Sequence, residues 1–282
     1  MCFLRLFVVI TIMTSFKNLI IIIAEFFLID KFGRKVLTFF SGMGESMILL
    51  FFAVKNLQYV HRDRKLVLEQ MVIVGVNSIP LVIVSATFAG MVSAVQAGYQ
   101  LEGFGSPNMF LGSATARAIT TELAPVLTGL VLSGRFGASI AAEIGTMKVT
   151  EQIDALETLA IDPIRYLATP RLLAGLIMLP ILIIFADFIA IGGSMFVGYV
   201  SMDVAPEAFL ASVQRFMVVS DFFAGIVKAL LFGGSTALIG CYVGFATEGG
   251  AEGVGQAPIR AFVLSSAAIL VNDYVVATIF FL

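Results

Sequence analysis

The chain has 282 residues, 59% of them hydrophobic and 13% charged, with a formal net charge of −2 and a mean hydropathy of +1.02. A water-soluble domain carries about a quarter charged residues, so a water-facing fold is excluded and an all-α integral membrane protein is expected. The small net charge and the lack of a basic patch interleaved with aromatics exclude nucleic acid as a partner.

Residues 1–29 are apolar but broken by Arg5, Lys17 and Glu25, and they lack the small-residue cleavage site of a signal peptide. They read either as an additional hydrophobic helix or as residues upstream of the true start. Residues 30–66 read as an amphipathic interfacial helix followed by a basic linker. Val36, Phe39, Phe40, Met43, Met47, Leu50 and Val54 share one helical face, with Arg34, Thr38, Ser41 and Glu45 opposite. The linker "YVHRDRK" holds the single histidine, His61, which reads as a solvated surface residue. Metal-dependent proteases and Ser-His hydrolases are thereby excluded. Cys2 and Cys241 do not make a disulfide framework.

Residues 67–282 hold five apolar runs of spanning length. The first, 71–94, contains Pro80, where a kink is expected. The second, 113–134, contains Arg117 and Glu122. The third, 171–199, contains Asp187, with Thr169-Pro170 expected as N-cap and first helical residue. The fourth, 222–246, contains Lys228, with Asp221 expected as its N-cap. The fifth, 261–282, contains Asp273. The Gly-rich segment "TEGGAEGVGQAPIR" before it reads as a loop. Its "GGAEGVG" lacks the Gly-Lys-Ser/Thr ending of a phosphate loop, so no cofactor is expected, and no catalytic or metal-ligating cluster appears.

Lys and Arg counts orient the bundle. Lys55, Arg62, Arg64 and Lys65 precede the first span, and Arg135, Lys148, Arg165 and Arg171 are read as a loop between spans two and three. Residues 95–112 have no such cation. The first two segments are therefore expected on the cytoplasmic side.

Carboxylates within spans cost about 2.5–3.5 kcal/mol each at the bilayer centre. For Asp187, Lys228 and Asp273 the favoured reading is a contact that ties helices together. For Glu122 a site role stands level with that reading, because Pro125 frees backbone groups nearby. The small residues of "GRFGASIAAEIG" and the pair Gly240 and Gly244 read as close helix packing, within the chain or against a second one.

One charged stretch interrupts the apolar background: "AAEIGTMKVTEQIDALETLAIDP", residues 141–163. Thr150 is a plausible N-cap. Glu151 and Asp154 lie in the first turn, where the helix dipole favours them. Ile153, Leu156 and Ala160 make an apolar strip, and Glu151, Asp154 and Glu157 an acidic one. Asp162-Pro163 ends this helix and starts another. Interfacial helices prefer basic polar faces, so this acidic one points to a protein partner.

The run "TELAPVLTGLVLSGRFGASIAAEIGTMKVTEQIDALETLAIDPIRYLATPRLLAG" (121–175) resembles the MlaE-type (YrbE-type) permeases of lipid-transporting ABC systems. Weaker likeness covers about residues 30–282. The resemblance implies a five-span permease subunit of a phospholipid transporter that is not itself an enzyme. A separate cytoplasmic ABC ATPase would dock on a coupling helix formed by Thr150, Glu151, Gln152, Ile153, Asp154, Leu156 and Glu157. It also implies a second copy of the chain, an MCE-domain partner on the outer side, and placement in a bacterial inner membrane or a chloroplast inner envelope. The family's pocket-lining glutamate maps to Glu122, with Thr121 before it and Pro125 after it. Gln96 and Tyr99 are candidates for the exit path. The rival reading is a proton-coupled secondary transporter, which would require an inverted repeat that the chain does not display.

Overall fold

The computed structural model describes residues 37, 40–101 and 107–281; the side chains of 107–109 are outside the description. The chain divides into two units, Met1–Ile48 and Leu49–Leu282. Residues 1–29, Val36 and Phe39 lie outside the described residues. In the first unit residues 40–48 are helical, and Phe40, Met43, Met47 and Ile48 are exposed.

The second unit is helical almost throughout, with no strand among the described residues. Residues 49–55 are helical and turn Leu49 and Ala53 into the core. Helix α1 (Arg64–Val74) stops at Gly75, a short 3₁₀ turn follows at Val76–Ser78, and α2 runs Ile79–Leu101. The break expected at Pro80 thus falls just before it, and Pro80 occupies the first turn of α2, where its missing N–H costs nothing. Arg135 donates to the Ile73 carbonyl (3.2 Å) and to the Ser78 hydroxyl at this break.

The second span is a composite: α3 (Pro107–Ala118), a π turn at Ile119–Leu123, α4 (Ala124–Leu132), a second π turn at Ser133–Gly137, and α5 (Ala138–Val149). Short α6 (Gln152–Thr158) follows. A π turn at Ile164–Ala168 then leads into α7 (Thr169–Met202), and α8 (Pro206–Phe216) precedes α9 (Val219–Phe245) and α10 (Gly250–Phe281). Five stretches are long and apolar enough to cross a membrane: Arg64–Leu101, Phe110–Val149, Ile164–Met202, Val219–Phe245 and Gly250–Phe281.

Every span is longer than its apolar run suggests. Arg135 lies in a π turn inside the second, and the segment expected as a loop at 247–260 is helical from Gly250 onward. Arg171 is a buried residue of α7: it donates to the Leu167 carbonyl (2.9 Å) and to Glu143 (2.9 Å), tying α7 to α5. Thr169 caps nothing; its hydroxyl donates to the Ile164 carbonyl (3.2 Å) as the helix runs through it.

The core lies where α7 and α9 cross, flanked by α2, α5 and α10. Backbones meet there without side chains between them. A Cβ on Gly233 would run into the Gly175 carbonyl, and one on Gly240 would sit 2.8 Å from the Gly137 carbonyl. The small residues of "GRFGASIAAEIG" and the Gly240/Gly244 pair are therefore used inside this chain.

Candidate functional site

Pro125 has no N–H to offer the Thr121 carbonyl, its partner in a regular α-helix. The Ile119–Leu123 π turn lies just before it, and α9 comes close because Gly225 faces the Thr120 carbonyl, where a Cβ would stand 2.6 Å away. Lys228 of α9 fills the vacancy. Its ammonium donates to the Thr121 carbonyl at 2.8 Å and lies 2.7 Å from both Glu122 Oε1 and Asp273 Oδ1. The Lys228 side chain has no exposed surface, whereas those of Glu122 and Asp273 are 44% and 20% exposed. One buried cation thus joins three spans, hydrogen-bonded to one carbonyl and paired by charge with two carboxylates.

The cluster sets two carboxyl groups against one amino group, and Glu122 is its most exposed member. Lys228 and Asp273 each lie about two and a half turns from the ends of α9 and α10 at Val219 and Phe281, or roughly 12–14 Å. In a hydrocarbon layer about 30 Å thick that is near the midplane. The local pattern predicted the freed carbonyl; it did not predict that Lys228 and Asp273 belong to the same site as Glu122, because the contacts are long-range. Asp187 departs from expectation. It is 6% exposed, and its Oδ1 is buried without a hydrogen-bond partner, so it ties no helices together. Asp221 is not a cap; it pairs with Arg117 at 3.0 Å.

Gln96 and Tyr99 come together with Met91, Val92 and Val95 around an open, almost wholly apolar hollow of about 450 Å³ on α2. Glu122 is not in its wall. A larger hollow of about 610 Å³ lies at the other end of the bundle, between the end of α9 and the start of α10. Among the described residues no group of His, Cys, Asp and Glu could hold a metal ion.

The charged interruption is a corner. Thr150 closes α5, donating its hydroxyl to the Thr146 carbonyl at 2.8 Å, so it does not cap α6. Glu151 adopts the left-handed conformation (φ 59°) and turns the chain into α6. Gln152, Asp154 and Glu157 are exposed, with Asp154 held 3.5 Å from Lys148. Ile153 is 4% exposed and packs with half-buried Leu156 into this chain's own core. Ala160 lies beyond the helix end with φ 56°. The expected apolar strip is therefore turned inward. The apolar residue offered outward is one that the periodicity reading passed over: Leu159, 70% exposed. Asp162 starts the next segment as expected, accepting the Ile164 N–H at 2.9 Å.

A family model described as Permease MlaE matches residues 67–279. A probable ABC transporter permease protein of Rickettsia prowazekii is 37% identical over 88% of this chain and 96% of its own length. The intermembrane phospholipid transport system permease protein MlaE of Haemophilus influenzae is 34% identical over 90% of this chain and 97% of its own. The chloroplastic protein TRIGALACTOSYLDIACYLGLYCEROL 1 of Arabidopsis thaliana is 34% identical over 76% of this chain and 61% of its own.

Proposed function

Because this chain belongs to the MlaE permease family, we propose that it is the membrane-spanning subunit of an ABC-type phospholipid transporter, driven by a separate cytoplasmic ATPase. The observation that carries the reading is the half-exposed Glu122 carboxylate, fixed near mid-depth by a fully buried lysine. A carboxylate kept there serves a polar ligand or cavity water; a purely structural pair would be sealed on both sides. Glu122 is the polar contact of a lipid pocket backed by Thr121 and Pro125, and the apolar hollow at Gln96 and Tyr99 belongs to the acyl-chain path toward the outer face.

The α5–α6 corner, from Thr150 to Glu157 and on to Leu159, is the ATPase-docking surface. The acidic residues Glu151, Asp154 and Glu157 face basic groups on the partner, and Leu159 seats in its groove. Two copies of the chain meet at the centre of the assembly, and an MCE-domain protein receives or delivers lipid at the opposite face. The membrane is a bacterial inner membrane, with the chloroplast inner envelope as the other setting. Proton coupling is the weaker reading, because Glu122 and Asp273 are both committed to Lys228 and the chain displays no inverted repeat.

The test is reconstitution. The complex purified with its ATPase should move a fluorescent phospholipid out of proteoliposomes only when ATP is supplied. Glu122→Gln, which keeps a polar oxygen beside Lys228, should assemble normally and transport about tenfold more slowly, a change of about 1.4 kcal/mol in the barrier. Transport at the wild-type rate by that variant would remove Glu122 from the pocket.

A further inference from the structure

The seam between α3 and α9 carries a second charged contact. Arg117, in the last turn of α3, places Nε 3.0 Å from Asp221 Oδ2; the aspartate side chain is 1% exposed and the arginine side chain 58% exposed. An arginine paired through Nε keeps both terminal amino groups, and no described residue takes them. The contrast is Arg171, an 8% exposed side chain whose Nη1 and Nη2 are both spent on Leu167 and Glu143. Arg171 is what an arginine looks like when its work is to tie helices. At Arg117 the buried acid holds the guanidinium by charge beside Nε, and the terminal amino groups are left as a fork suited to the paired oxygens of a phosphate.

Its position adds to this. Asp221 and Lys228 stand about two turns apart on one face of α9, so Arg117 and Glu122 lie along one seam roughly 10 Å apart. Asp221 is in the first turn of α9, which puts Arg117 at the level of lipid headgroups and Glu122 deeper. We propose that Arg117 is a phosphate-binding residue of the transport path, gripping the phosphodiester of a glycerophospholipid through Nη1 and Nη2 while Asp221 positions it through Nε. The proposal rests on the lipid-transport reading.

The test uses the whole complex in proteoliposomes and measures ATP-driven transport of a fluorescent phospholipid against its mole fraction. Failure of the wild-type complex to move any lipid would count against the lipid-transport reading. With an active wild type, Arg117→Gln should raise the half-saturating lipid fraction about tenfold with a smaller change in maximal rate, and Arg117→Lys should fall between them. Native mass spectrometry of the delipidated complex should show a retained phospholipid in wild type and its loss in Arg117→Gln. An unchanged half-saturation, equal lipid retention, or a fall in maximal rate and melting temperature alone would make Arg117 a structural tie and overturn the proposal. Excess inorganic phosphate should leave transport unchanged; competition by it would assign the fork to soluble phosphate instead of lipid.

Discussion

Lys228 is held at membrane depth by one carbonyl and two carboxylates and has no contact with solvent. Removing one member of a buried ionic cluster leaves uncompensated charge, typically worth about 3–5 kcal/mol. Lys228→Met should therefore lower the melting temperature of the detergent-solubilised protein clearly, as followed by fluorescence-detected size exclusion. Adding Glu122→Gln and Asp273→Asn to it removes the stranded charges and should recover much of the loss. A Lys228→Met protein as stable as wild type would mean that the carboxylates are neutral, and the cluster would not be ionic. The same contrast of inward and outward residues applies at the corner. Ile153→Asp buries a charge in the core and should abolish folding, whereas Leu159→Asp changes only an exposed surface and should leave the spans intact while reducing recovery of the ATPase in pull-downs. Full ATPase recovery with Leu159→Asp would place docking elsewhere.

Helix α9 and the composite second span are coupled by an absence, the N–H that Pro125 lacks. Pro125→Ala supplies that donor, lets Thr121 and residue 125 bond in regular α-helical fashion, and removes the reason for the lysine to reach the Thr121 carbonyl. Stability should change by about 1 kcal/mol or less, because a helix former replaces a proline while one hydrogen bond is exchanged for another. Transport should fall, because Glu122 shifts with the π turn; unchanged transport alongside unchanged melting would show that the π turn is incidental. The existence of the five spans could be read from apolar runs alone, since nothing but a helix of that length satisfies its backbone in lipid. Their ends could not. Glycine is a poor helix former, so Gly250, Gly253 and Gly255 read as loop, yet packing against α9 and α5 holds α10 helical from Gly250 onward. Arg135 and Arg171 read as loop cations because charge in lipid is costly, yet Arg135 donates to a carbonyl and a hydroxyl, and Arg171 to a carbonyl and a carboxylate, inside the bundle. Pro125 singled out Glu122 for notice, while Lys228, which pairs with it, and Asp273 come from distant helices and leave no local trace.

The assembled molecule is where the glycines become informative. Gly233 abuts the Gly175 backbone within the chain, whereas a Cβ on Gly192 meets nothing within 4 Å. Gly233→Leu should be unfoldable, since overpacking against backbone costs about 1–3 kcal/mol or more, and yield after solubilisation will report it. Gly192→Leu should be tolerated if that face meets lipid. Loss of the two-copy species on native mass spectrometry, with the single chain still folded, would instead put Gly192 in the contact between copies. With the Gly240/Gly244 pair and the 134–145 segment committed inside the chain, the second copy we propose packs through other faces. The decisive measurement is made on the complex taken from its own membrane in mild detergent: subunit stoichiometry by native mass spectrometry together with phospholipid-stimulated ATP hydrolysis. A membrane subunit of an ABC phospholipid transporter predicts two copies of this chain, a bound nucleotide-hydrolysing protein, and hydrolysis that rises with added phospholipid. A chain that purifies without any ATPase and moves lipid in response to a proton gradient alone would contradict it.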